Sequence, residues 1–117
     1  MPFTIVDGSS VTAGPGPHPA ASPYDKRISE HLGVTALEVY QVELPAHGET
    51  VMHTHADDQV EDTYAFLHGS GWLVVDDEQV PVGPGQFAAV SVDARRQVRA
   101  GADGLVLIAV CAPMRQS

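Results

Sequence analysis

The chain has 117 residues, 44% of them hydrophobic and 18% charged, enough to bury roughly two-thirds of the unfolded surface in one core without covalent staples. Six Lys and Arg against fifteen Asp and Glu give a formal charge of −9, which repels phosphate backbones and anionic lipid, so neither nucleic acid nor a membrane is expected as a partner. The single cysteine, Cys111, excludes an intramolecular disulfide framework and a Cys-rich zinc module. It fits a reducing compartment. The start MPFTIVDGSS lacks the basic and apolar regions of a secretory signal. The longest apolar run, Leu105 to Ala112, falls far short of a membrane span. These features read as a single-domain cytoplasmic protein.

Residues 14–23, GPGPHPAASP, hold four of the nine prolines. Each proline fixes φ and removes a backbone donor, so residues 1–24 read as an N-terminal arm whose 8–24 stretch is extended and, where ordered, takes its order from packing on a second subunit. Residues 25–33, DKRISEHLG, fit a short helix stopped by Gly33 or an edge strand equally well. From residue 36 onward short apolar segments alternate with turns. They cover 36–44, 50–55, 62–68, 71–76, 79–82, 87–92, 96–100 and 105–112. About eight short strands at this spacing predict an all-β sandwich or barrel over residues 25–117.

Six histidines are present, and the informative pair is His53 and His55 in VMHTH. On a strand, residues two apart share a face, so both imidazoles project together. Two imidazoles with a carboxylate from a neighbouring strand make a site for a borderline metal. Glu61 and Asp62 follow His55 by six and seven residues, room for a turn and a return strand. Strand parity lets only one of them face the histidines.

The succession GETVMHTH, EDTYAFLHGSG and VPVGPGQ resembles the conserved blocks of the cupins. Gly48, His53, His55, Glu61 or Asp62, and Gly69 stand at the first block's positions. The resemblance covers about residues 36–112. It implies a small jelly-roll barrel (a double-stranded β-helix), with the histidines pointing into a lumen that often holds a divalent metal, and it implies a homodimer. Counting back from Gly69 favours Asp62 as the acidic ligand; matching residue type favours Glu61. The second block is degenerate: Ser91, Val92 and Asp93 replace its turn, Arg96 stands near its histidine, and no histidine follows His68. The usual set of three histidines and one carboxylate cannot form.

Several arrangements of the lumen follow. His53, His55 and Asp62 or Glu61 can hold Fe, Zn, Mn, Ni or Cu with open positions, a fourth ligand coming from His47, His68 or Cys111. Alternatively Arg96 pairs with the carboxylate in place of metal, since a guanidinium fork matches a carboxylate and repels a cation. Arg96 is also a candidate clamp for an anionic ligand, or a solvated strand end beside Arg95 and Arg99. Tyr64 and Phe66 share the Asp62 face and are candidate pocket residues. Cys111 reads as inert core. No nucleophile elbow, phosphate loop or dinucleotide fingerprint appears. Three readings fit: a metal-dependent enzyme of the oxygenase, isomerase, cyclase or decarboxylase kind acting on a small organic molecule; a metal-free, non-catalytic module that binds a small ligand such as an anion; or a purely structural dimer.

Overall fold

The computed structural model describes residues 2–16 and 20–115; Pro17, His18 and Pro19 of the expected arm lie outside the described residues. The elements are β1 (Asp25–Arg27), α1 (Ile28–Leu32), β2 (Glu38–Leu44), β3 (Val60–Val75), β4 (Glu78–Val82), β5 (Phe87–Val90) and β6 (Arg96–Pro113). Their order is β1-β2-β6-β3-β4, with β5 also on β3, and every pairing is antiparallel. This is the all-β barrel architecture expected. Among the described residues no helix is long and apolar enough to cross a membrane.

The strand count differs from the sequence expectation for a local reason. Segments 62–68 and 71–76 merge into β3, and 96–100 and 105–112 merge into β6. The glycines between them read as turns but mark close crossings of the two strands. A Cβ on Gly69 would lie 2.1 Å from the Gly104 carbonyl oxygen, and one on Gly71 would lie 2.1 Å from that of Arg99. Gly69 also sits at φ 84°, where a side chain is strained. The register shifts between Phe66 and His68 and between Gly69 and Gly71. Such bulges bend a strand without ending it. The first half of β3 therefore pairs with β5 and the second half with β4. Gly69→Ala should cost about 2–5 kcal/mol of stability, measurable by urea titration, because strain and overpacking act together.

Segment 50–55 is not a regular strand. It runs beside β6 through the isolated bridge His53↔Arg96, with Glu49↔Arg99 just ahead of it, while Thr50 N–H donates to the Val98 carbonyl and His55 N–H to that of Val92. Residues 25–33 combine both expected structures. Three residues extend along β2, five form α1, and Gly33 at φ 73° closes the helix.

The core follows period-two alternation. Val42 and Leu44 of β2, Tyr64, Phe66 and Leu73 of β3, and Val98, Leu105 and Leu107 of β6 are all buried. The described part of the arm lies on its own barrel. Gly14 N–H donates to the Asp25 carbonyl, Lys26 Nζ donates to the Gly8 carbonyl, and Val11 and Ser22 are buried.

Candidate metal centre and cavity

Two rows of side chains cross β2, β6 and β3 on the inner face. Glu38, Cys111 and Asp62 face one another in register, and so do Tyr40, Ala109 and Tyr64. With segment 50–55 and the arm, these rows line a mostly apolar cavity of about 480 Å³. His53 and His55 both point into it, on the same side, as the His-x-His spacing predicts.

His53, His55 and Asp62 bring one ligand atom each within 4.8 Å of one another. The two Nε2 atoms are 3.2 Å apart. Asp62 Oδ2 lies 3.0 Å from His55 Nε2 and 3.7 Å from His53 Nε2. Atoms sharing one cation at about 2.0–2.2 Å sit roughly 3–3.5 Å apart, so the spacing suits a common ion. The tautomers suit it too. His53 Nδ1 is 2.8 Å from the Val51 carbonyl oxygen, which can only accept. His55 Nδ1 is 2.9 Å from the Asp58 carboxylate. A proton on each Nδ1 leaves both Nε2 lone pairs free for a cation; without one, the Nε2 atoms serve as donors to Asp62, which His55 Nε2 reaches at 3.0 Å.

Asp62 is 3% exposed. Its Oδ2 accepts from Tyr64 O–H at 3.1 Å and from Arg96 Nη1 at 2.9 Å. Its Oδ1 is buried without a partner meeting hydrogen-bond geometry, although the weak thiol donor of Cys111 opposite it helps hold the charge. Burial pushes the carboxyl upward, but hydrogen bonds from His53 and Cys111 and the charges of His55 and Arg96 outweigh it and hold Asp62 well below the usual carboxylate range. For His53, burial acts downward, yet the bonds to Asp62 and Val51 win and raise its pKa. A site that raises a histidine's proton affinity is one that attracts positive charge. Burial and the Asp62 charge push the Tyr64 phenol and the Cys111 thiol far above their ordinary values. Both stay protonated at neutral pH.

Several sequence expectations need correction. Glu61 is exposed on the outer face, so parity selects Asp62. Phe66 is core and does not line the cavity, whereas Tyr64 does. Arg96 is neither a solvated strand end nor an anion clamp. It is 0% exposed and lies behind Asp62, outside the cavity lining. Its Nη2 donates to the Ser91 and Ala94 carbonyls, and its Nε to Ala94, so its donors serve the protein itself. It meets Asp62 through one nitrogen and one oxygen, not as a fork. His47 and His68 are exposed. Cys111 packs against the core with its thiol held protonated, as expected of an inert residue, and it also lines the cavity facing Asp62.

Asp58 joins the site without being among the residues the sequence predicts. Its signal was the acidic residue three after His55, in the turn that His55 Nδ1 can reach. A ligand histidine oriented by a carboxylate is typically weakened about 10- to 100-fold when that carboxylate is removed. Asp58→Asn should lower metal affinity by that factor, read by calorimetric titration, while leaving the fold intact because Asp58 is exposed.

No family model matches the sequence, and no curated protein matches it. Solved structures do. A cupin protein from Bacteroides fragilis is 20% identical with a TM-score of 0.74, covering 100% of this chain and 92% of that one. A sugar phosphate isomerase from a cupin superfamily, from Silicibacter pomeroyi, is 17% identical with a TM-score of 0.78, over 95% of this chain and 76% of that one. KdgF from a Halomonas species is 16% identical with a TM-score of 0.65, over 81% and 84%. The chain has the cupin fold.

Proposed function

We propose that this chain binds one divalent transition metal through His53, His55 and Asp62, and that the adjoining cavity binds or transforms a small organic molecule. The observation that carries the reading is the convergence of His53 Nε2, His55 Nε2 and Asp62 Oδ2, with each Nδ1 turned to an acceptor of its own. Two imidazoles and one carboxylate leave coordination positions open, and borderline ions such as Fe, Zn, Ni or Cu suit the nitrogen donors. Arg96 neutralises Asp62, which disfavours hard, strongly charged sites and leaves the nitrogens to set affinity. When bound, the metal supplies Lewis acidity toward a carbonyl or enol oxygen.

The chain's own residues do the rest. Tyr64 and Arg96 hold the Asp62 carboxylate through Oδ2, the oxygen nearest the histidines, and Asp58 and Val51 fix the imidazoles. Val42, Val98 and Leu107 present an apolar wall that limits water. Tyr64 and Cys111, held protonated, serve as donors and not as bases. The choice among oxygenase, isomerase, cyclase and decarboxylase chemistry depends on the substrate.

The second reading is a metal-free binding module, favoured by the Arg96–Asp62 pair, which already balances the buried charge. Elemental analysis of protein grown with supplemented metals separates the two. A stoichiometric transition metal is expected; a metal-free protein after supplementation supports the second reading. A homodimer is part of the proposal, and light scattering should give twice the 12.4 kDa chain mass.

A further inference from the structure

The end of the cavity away from the histidines has its own chemistry. Glu38 and Tyr40 lie two strands from Asp62 and Tyr64 in the same two rows. At about 4.8 Å per strand this is roughly 10 Å, the length of a small bifunctional molecule. The Tyr40 side chain is 9% exposed and lines the cavity, and its hydroxyl has no hydrogen-bond partner among the described residues. Burial and the Glu38 charge raise its pKa, so it remains a phenol.

The cavity lining includes three carboxylates, Asp25, Glu38 and Asp62, and no Lys or Arg among the described residues. Asp62 is balanced by Arg96, and Glu38 by Arg27 at 2.6 Å. Asp25 accepts only from the Ser22 N–H and O–H, at 3.0 and 2.7 Å, so its negative charge is uncompensated. Among the described residues, a phosphate or carboxylate placed here would meet like charge and no Lys or Arg donor. An N–H or O–H donor would find Tyr40 oxygen and the Asp25 carboxylate.

We infer that the cavity takes a small, largely apolar molecule about 10 Å long whose far end is a hydrogen-bond donor, an amine or a hydroxyl, seated at Tyr40 and Asp25, and that it rejects compounds ending there in a carboxylate or phosphate. This rests on the proposed role of the cavity as the ligand site. It separates this chain from the sugar phosphate isomerase it resembles in fold.

The test uses three matched compounds, 3-phenylpropylamine, 3-phenylpropanol and 3-phenylpropanoate, which share a phenyl body without a polar group and end in an ammonium, a hydroxyl and a carboxylate. Binding is followed by calorimetry, and the order is read on chelator-treated protein, where the carboxylate has no metal to bind. The amine and the alcohol should bind at least about ten-fold more tightly than the carboxylate. Tyr40→Phe, which removes only the hydroxyl, should weaken both by roughly five-fold or more and leave metal binding unchanged. Equal or tighter binding of the carboxylate, no saturable binding of any of the three, or an unaffected Tyr40→Phe overturns the inference. Failure of the metal reading looks different: metal titration gives no binding, whatever the order of the three compounds.

Discussion

Arg96→Met should cost roughly 3–5 kcal/mol in chelator-treated protein, enough to unfold a domain of this size or bring it close to unfolding. The guanidinium is fully buried and carries one bond to Asp62 and three to the Ser91 and Ala94 carbonyls. Removing it strands a buried carboxylate and takes donors from two carbonyls, of which that of Ser91 keeps the Ala94 N–H. The double variant Arg96→Met with Asp62→Asn should recover a large part of the loss, because the stranded charge is gone. Failure of the double variant to recover would place the damage in the carbonyls alone. The pH dependence adds a sign. In the parent, Asp62 has a depressed folded pKa, so its contribution is present above the unfolded value near 4 and is lost as pH falls toward the folded one. Without Arg96 the carboxyl titrates higher, and the acid loss of stability assigned to Asp62 should shrink or reverse in urea titrations from pH 7 to pH 3.

The second large effect concerns the histidines. In the parent, saturating Zn²⁺ should raise the melting temperature, since a ligand that binds only the folded state stabilises by mass action: about 4 kcal/mol at a thousand times the Kd. His53→Ala should abolish that gain and weaken metal binding on the order of a hundred-fold or more. The variant should fold on its own, because His53 is only partly buried, whereas His55 is 3% exposed. A variant that melts with the same metal response as the parent would take His53 out of the site.

The His-x-His pair was legible because period-two geometry depends only on local backbone direction, and segment 50–55 is extended even where it lacks a ladder. Parity lets only one of Glu61 and Asp62 face inward, and the spacing back from Gly69 in the cupin resemblance favours Asp62; parity alone does not choose, because β3 shifts register between Phe66 and His68. Arg96 was not legible. Beside Arg95 and Arg99 it looks like a solvated cluster, and only the bridge to His53 and the turn carbonyls of Ser91 and Ala94 explain why it alone is buried. Long-range partners of that kind leave no periodic trace. The two long strands were misread because Gly-Ser-Gly and Gly101–Gly104 are the same in sequence whether glycine ends a strand or lets two backbones cross. The arm's contacts with β1 are likewise invisible in its prolines.

The most direct test is a calorimetric titration of chelator-stripped parent protein with Zn²⁺ at neutral pH. One equivalent bound per chain, lost in His53→Ala and weakened in Asp58→Asn, is the predicted result. No saturable binding, together with a melting temperature indifferent to Zn²⁺ and chelator, would contradict the metal site and leave a cupin-fold barrel in which Arg96 alone balances Asp62.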